Sequence, residues 1–380
     1  MTTLRENNIF ILGAGFSAPA KLPLAKNLWN LILNESKKKL IKNNIEYSFY
    51  ENFLEGDIAD FIDYHNSSRK DNQSILAEEN IELEEFISYL DIEDFLHLLG
   101  PKHWSSAGNQ SQILIRNYIA RIIYQAQLKI TDSKKKLYDK FVNFLKPNDL
   151  IITFNYDTIV EDALARNKIP YRLYWNKLKK IDEHGNGIID SDNKEIILHK
   201  MHGSIDWVSD KYFISGSNLC IWNRNKIIFN PKMILSEPYF DTNELQYIYR
   251  IKNLGDYFQL NEPVLESPFI ISPSINKIVY LNPLKELWNG FIGNGQGSKR
   301  LVFIGFSLPP HDDYIRQPLY WVAKNFESTA KYENNRISVI DCQNDLNKRL
   351  KFKEKYSFLD DEFTDYYFDG FSEEVLNDIF

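Results

Sequence analysis

Four stretches of this chain share one pattern, a short run of apolar residues that ends in glycine, asparagine or aspartate. They are Ile9 to Leu12 before Gly13-Ala14-Gly15, Leu150 to Thr153 before Phe154-Asn155-Tyr156-Asp157, Leu301 to Ile304 before Gly305-Phe306-Ser307, and "RISVI" before Asp341. A strand with one face in water alternates apolar and polar positions, whereas a strand covered on both faces is apolar throughout. The runs therefore predict parallel strands with helices on either side. Helical spacing follows in "LAKNLWNLILNESKKKL" and "TIVEDAL", and a loop and helix follow the third run in "SLPPHDDYIRQPLYWVA". Alternating strands and helices of this kind predict an α/β fold, a Rossmann-like doubly wound parallel sheet.

From about Ile41 to Lys146 apolar residues recur at three- and four-residue intervals, as in "EEFISYLDIEDFLHLL" and "SQILIRNYIARIIYQAQLKI", with "NSSRKDNQS" as a loop. This stretch predicts a helical insertion or cap on the sheet. Tyr171 to Trp222 alternates short apolar segments with turn signals such as "EHGNG" and "SDNK", which predicts strands and hairpins. The prolines of "FNPKMILSEPYF" and "ESPFIISPSINK" mark loops between 223 and 285. The expected organisation is a single domain over 1–380, with its sheet core at about 8–40, 147–210 and 265–345. Into that core are set the helical insertion, about 41–146, and a small irregular β-containing insertion, about 211–264, and a C-terminal segment, 346–380, follows. The tail "DDEFTDYYFDGFSEEVLNDIF" holds too many aromatic side chains to be expected in disordered chain.

Hydrophobic residues make up 43% of the 380, enough for a substantial core. The net charge of −7 gives no general reason to bind nucleic acid, and Lys37-Lys38-Lys39 and Lys134-Lys135-Lys136 read as solvated helix faces. Two cysteines far apart, Cys220 and Cys342, exclude a disulfide framework and a CxxC zinc module. "MTTLRENN" runs straight into "IFILGAG" with no signal-peptide layout, and no apolar run reaches membrane-spanning length. The expectation is a cytoplasmic protein that engages neither membrane nor nucleic acid directly.

In open parallel sheets ligands gather at the carboxyl ends of the strands, and all four runs end in groups suited to that. Gly13-Ala14-Gly15 lacks the third glycine of the dinucleotide fingerprint, so alone it reads equally as a phosphate-facing turn and as a packing turn. Asp157 or Thr158 could cap the following helix; alternatively Asn155 orients a ribose or a water while Asp157 holds a polar substrate group. "LHKMHGSIDWV" places His199 and His202 three residues apart. On a helix they would share a face and could share a metal. β-Branched Ile196 and Ile197, then Gly203 and Ser204, favour a strand running into a turn, where the two rings separate. His202 then lies at the strand end, where a base near neutral pH would be useful, and His199 lies within the strand in a packing or hydrogen-bonding role. Taken alone, a packed His202 fits equally well.

The order "GAGFS", "TFNYD", "HGS", "GFS" resembles the ordered NAD-binding motifs of the sirtuin (Sir2) superfamily. The stretch "PFIISPSINKIVYLNPLKELW", followed by "RLVFIGFSLPPHDD", is similar to the bacterial SIR2-like branch of NAD-consuming anti-phage defence proteins, and the likeness covers most of residues 8 to 345. The resemblance implies NAD as substrate and no metal. It implies that Gly13, Ala14, Gly15 and Ser17 line the pyrophosphate and ribose pocket, and that Asn155 contacts the nicotinamide-side ribose or positions water. Asp157 would hold the carboxamide, His202 would act on the ribose hydroxyls, and Gly305, Ser307 and Asp341 would contact phosphate and the adenosine side.

Two departures from protein-deacylating sirtuins stand out. The interval between the histidine and the later glycine motif offers only Cys220 in place of paired zinc cysteines, and "KLPLAKNLW" lacks the aspartate and arginine expected after the first glycine motif. Both favour water over an acyl-lysine as co-substrate, hence an NAD+ glycohydrolase that releases nicotinamide and ADP-ribose and acts in anti-phage defence by depleting NAD. An NAD-dependent deacylase and a non-catalytic nucleotide-binding sensor or structural subunit are the alternatives. By the same resemblance the protein is expected to form a homo-oligomer and to pair with a HerA-type ATPase, or alternatively with an Argonaute-like protein.

Overall fold

The computed structural model describes residues 7–42, 45–67, 75–96, 98, 109–173, 177–181, 187–190, 194–209, 233–234, 248–251, 253–260, 267–275, 288, 291–308, 312–333 and 335–380. Most of the expected insertion at about 211–264, with Cys220, lies outside them, as do residues 309–311 of the "PPH" stretch.

The core is a seven-stranded sheet in which every neighbouring pair is parallel. Its strands are β1 (Asn8–Leu12), β2 (Leu150–Thr153), β3 (Tyr171–Arg172), β4 (Ile196–Lys200), β5 (Arg300–Ile304), β6 (Arg336–Ile340) and β7 (Thr364–Tyr367), in the order β7-β6-β5-β1-β2-β4-β3. Every residue of β1, β2 and β4 is buried, as expected of strands covered on both faces, and β4 buries His199 and Lys200 beside its apolar residues. From β1 the chain builds outward through β2 to β4 and β3, then returns to the other side of β1 to lay down β5, β6 and β7. β1 is therefore where the winding direction reverses, the place where ligands gather in open parallel sheets.

The register at this reversal is held by a buried carboxylate. Asp149, just before β2, accepts from the backbone N–H of Asn8 at 2.7 Å, from the Asn8 side chain at 3.1 Å and from the backbone N–H of Lys146 at 2.8 Å. That fixes Ile9 opposite Leu150 and brings the ends of β1 and β2 level.

The helices that cover the sheet and build the insertion include α1 (Ala25–Ser36), α2 (Glu55–Ser67), α3 (Leu83–Leu96), α4 (Gln110–Gln127), α5 (Asp132–Phe144), α6 (Ile159–Arg166), α7 (Asp313–Glu333), α8 (Leu346–Lys355) and α9 (Glu373–Ile379). α4 starts at a capping box, in which Asn109 and Gln112 satisfy each other's backbone N–H groups. The insertion docks on α1 through Trp29, whose ring meets Phe86 of α3 edge-on at 5.3 Å and whose indole N–H donates to the Glu78 carbonyl. Its first residues are not helical as the spacing predicted. Leu40–Lys42 pairs antiparallel with Ile45–Tyr47, where β-branched Ile41 and Ile45 favour extended backbone.

The aromatic tail is packed, and it completes the sheet through β7. Phe371 lies 4.7 Å from Phe16, and Phe380 stacks on Phe144 at 5.0 Å. Among the described residues no helix is long and apolar enough to cross a membrane.

His199 on β4 is fully buried, and desolvation, with the Arg172 cation adding to it, pushes its imidazole down to about 3. The folded protein thus holds the ring neutral, while the unfolded chain protonates it near pH ~6.5. Stability from this group is complete above that value and falls as the pH drops toward 3, by about 2 kcal/mol at pH 5. Urea unfolding of His199→Leu should show correspondingly less loss between pH 7 and 5 than wild type. Equal losses in the two proteins would show that His199 does not titrate in this way.

Candidate active site

The loops leaving β1 and β5 touch backbone to backbone. Gly13 N–H donates to the Ile304 carbonyl at 3.0 Å and Gly15 N–H to the Gly305 carbonyl at 2.8 Å. A Cβ on Gly15 would lie 2.5 Å from the Gly305 Cα, and one on Gly13 would lie 2.5 Å from the Gly305 oxygen. Gly305 has φ +58°, and its own Cβ would lie 2.2 Å from the Gly15 carbonyl carbon. These glycines are thus required for packing, whatever else they do. The same contact leaves Ala14 exposed and Gly15 half-buried, a surface of backbone with almost no side chain.

Against this surface lies a hydrogen-bonded group of three side chains from β1 and β2. The Asn155 amide donates to the Gly13 carbonyl at 2.8 Å and to Ser17 Oγ at 3.1 Å. Ser17 Oγ donates in turn to Asp157 Oδ2 at 2.7 Å. A carbonyl can only accept, so the Gly13 oxygen dictates that the Asn155 NH₂ faces it and that Oδ1 faces the other way. Asn155 is half-buried, and its Oδ1 is directed away from the β1 loop as an acceptor. Asp157 is buried and accepts the Ile159 N–H, the first of α6, at 3.1 Å through Oδ1 while Oδ2 bonds Ser17; the N-cap position itself is Thr158, whose side chain makes no capping bond. Each Asp157 carboxylate oxygen retains a lone pair for one further donor.

Behind this turn, Lys200 and Glu161 form a fully buried pair at 2.7 Å, and the Lys200 ammonium also donates to the Asp157 carbonyl oxygen. Burial, more than the Lys200 charge offsets, pushes the Glu161 carboxyl above its usual range. The pair fixes the backbone of Asp157.

His202 sits in the turn after β4, 6% exposed. Gly203 takes φ +79° there, and a Cβ would lie 2.3 Å from the Phe269 oxygen. The turn is clamped on both sides. Ile205 N–H donates to the Tyr156 carbonyl at 2.9 Å, and Ile271 N–H donates to the His202 carbonyl at 2.8 Å. The imidazole is edge-on to Phe154 at 5.1 Å, and Phe154 stacks on Phe306 at 4.8 Å. Its Nε2 lies 2.6 Å from the hydroxyl of Tyr314 on α7. His199, by contrast, is inside β4, so the strand-to-turn reading that separated the two histidines agrees with the backbone. Among the described residues no group of three His, Cys, Asp or Glu side chains could hold a metal.

Gly13, Ala14, Gly15, Ser17, Asn155, Asp157, His202 and Gly305 thus lie on the loops that leave β1, β2, β4 and β5. Ser307 and Asp341 lie further along the same rim. Ser307 is exposed and its carbonyl accepts from Lys355 Nζ at 3.2 Å, while Asp341 follows β6 and accepts the Cys342 N–H at 2.6 Å. Among the described residues neither is hydrogen-bonded to the Ser17–Asn155–Asp157 group. Burial pushes the Asp341 carboxyl above its usual range. Sequence reasoning missed Tyr314, Phe154 and Phe306. The two phenylalanines stand inside the "TFNYD" and "GFS" motifs, but no spacing marks Tyr314, which reaches His202 only through the tertiary fold.

Residues 149–250, which hold Asn155, Asp157 and His202, match the SIR2-like domain family. Among solved structures, a sirtuin studied for substrate affinity is 12% identical, with 98% of this chain and 92% of that chain covered and a TM-score of 0.30. Sir2Tm bound to a propionylated peptide is also 12% identical, with 98% and 91% covered and a TM-score of 0.28. A search of curated protein sequences finds no match.

Replacing Gly15 with alanine forces apart the β1 and β5 loops and should lower stability by about 1–3 kcal/mol, read from chemical denaturation. A G15A protein as stable as wild type would mean that the two loops do not touch as described.

Proposed function

We propose that this protein is an NAD+ glycohydrolase, cleaving NAD+ with water to nicotinamide, ADP-ribose and a proton. The observation that carries this reading is the Asn155 amide, oriented by the Gly13 carbonyl beside the packed glycine loops, with Asn155, Asp157 and His202 all inside the 149–250 segment that is similar to SIR2-like domains. In this reading the diphosphate lies along the β1 loop at exposed Ala14 and half-buried Gly15, whose backbone Gly13 and Gly305 hold in place. Asn155 Oδ1 accepts a hydrogen bond from a ribose hydroxyl or from the attacking water. The second lone pairs of the Asp157 carboxylate accept the carboxamide N–H.

In the reaction the C1′–N bond breaks, its electron pair passes to the pyridinium nitrogen, and neutral nicotinamide leaves an oxocarbenium-like ribose. Water adds to C1′ as its proton leaves, and His202 takes a proton from a ribose hydroxyl or from that water as general base. The ring faces of Phe154, Phe306 and Tyr156 shield this centre from bulk solvent. In this reading the enzyme serves bacterial anti-phage defence by depleting NAD. It works as a homo-oligomer whose resting silence is kept by a separately encoded partner, a HerA-type ATPase in preference to an Argonaute-like protein.

Purified protein incubated with NAD+ and no peptide should release nicotinamide and ADP-ribose in equal amounts. Asn155→Ala and His202→Ala should each lower turnover by about 100-fold or more. Equal release by wild type and both variants would refute the site. Release only with an acylated peptide would make the protein a deacylase, and NAD+ binding without turnover, even with the partner ATPase added, would make it a sensor.

A further inference from the structure

The contact between His202 and Tyr314 bears on which nitrogen of the imidazole works as the base. Neutral histidine carries one ring proton, and the hydrogen bonds around the ring decide which nitrogen holds it. The Tyr314 hydroxyl lies 2.6 Å from Nε2, and a phenol there can either donate its proton to that nitrogen or accept one from it. Tyr314 makes no other hydrogen bond among the described residues, so Nε2 is the acceptor available for its proton. Burial, with the Asp312 carboxylate and then Tyr156 and Glu84 adding to it, holds the phenol firmly in its protonated form.

Tyr314 is itself well held. It follows buried Asp312, whose carbonyl accepts the Ile315 and Arg316 N–H groups at 2.8 and 3.1 Å to open α7. Its ring is edge-on to Trp288 at 5.8 Å and tilted against the His202 ring at 6.3 Å. The hydroxyl thus meets Nε2 from the first turn of α7, a helix that follows β5, while His202 is carried by the turn after β4.

We propose that Tyr314 is the positioning residue of His202: its hydroxyl donates to Nε2, holds the ring proton on Nδ1 and so keeps Nε2 as the nitrogen that accepts a proton. A substrate hydroxyl entering between the two rings takes over the same lone pair and meets a ring already in the required tautomer. In the proton transfer that follows, the substrate O–H bond breaks, an Nε2–H bond forms, and the imidazole becomes imidazolium. Only this last step rests on the NAD-cleaving reading; the tautomer does not.

Long-range ¹⁵N–¹H spectra of the histidine rings test the proposal, with the His202 signals assigned by their loss in the His202→Gln protein. Wild type should show a protonated Nδ1 and an unprotonated Nε2 at neutral pH. Tyr314→Phe, which keeps the ring and removes only the hydroxyl, should show mixed tautomers. It should also lower kcat for nicotinamide release about tenfold with KM changed less than twofold. A protonated Nε2 in wild type, an unchanged tautomer in Y314F, or faster turnover in Y314F would overturn the proposal. If wild type releases no nicotinamide under any condition the NAD-cleaving reading fails, and the spectra alone still decide the role of Tyr314.

Discussion

The contact on which the site depends is the meeting of Gly15 and Gly305. Two loops from adjacent strands, β1 and β5, approach until one glycine Cα lies where the other's side chain would be. That distance brings Gly13 into reach of both the Ile304 carbonyl and, on its other side, the Asn155 amide. With the Gly13 oxygen fixed, the orientation of Asn155 follows, then Ser17, then Asp157, which in turn bonds the first N–H of α6. A backbone packing constraint thus propagates through four hydrogen bonds to the side chains that chemistry would use.

The opposite wall is built differently. His202 rides on a left-handed glycine turn held by backbone hydrogen bonds to Tyr156 on one side and to Ile271 on the other. Aromatic rings pack round it, and its Nε2 meets the hydroxyl of Tyr314. One wall is defined by missing side chains and the other by large ones. Between them stand Asn155, with its acceptor oriented by the Gly13 carbonyl, and His202, which suits a reaction that needs one oriented acceptor and one base.

Much of this was readable in the amino-acid order. β1, β2, β5 and β6 are legible because strands covered on both faces cannot afford polar positions. β7 was not, because "TDYY" lies at the sheet edge and is only half-buried. The pairing of Leu40–Lys42 with Ile45–Tyr47 was not legible, because two three-residue strands are too short to break a helical spacing. Asn155 and His202 were legible as strand-end residues, but the direction of the Asn155 amide depends on a carbonyl 142 residues earlier. The tie to Tyr314 spans 112 residues. Such long-range pairings leave no periodic trace, and only the fold brings them together.

The central claim is that the β1 loop, held in place by the packing of Gly13, Gly15 and Gly305, presents NAD+ to Asn155 and His202. The most direct measurement is a crystal structure of the Asn155→Ala protein with NAD+ bound. The account predicts the diphosphate along the backbone of Ala14 and Gly15, the nicotinamide ribose between residue 155 and the His202 ring, and the carboxamide at Asp157. A dinucleotide bound elsewhere, or one with its adenine end beside His202, would contradict it.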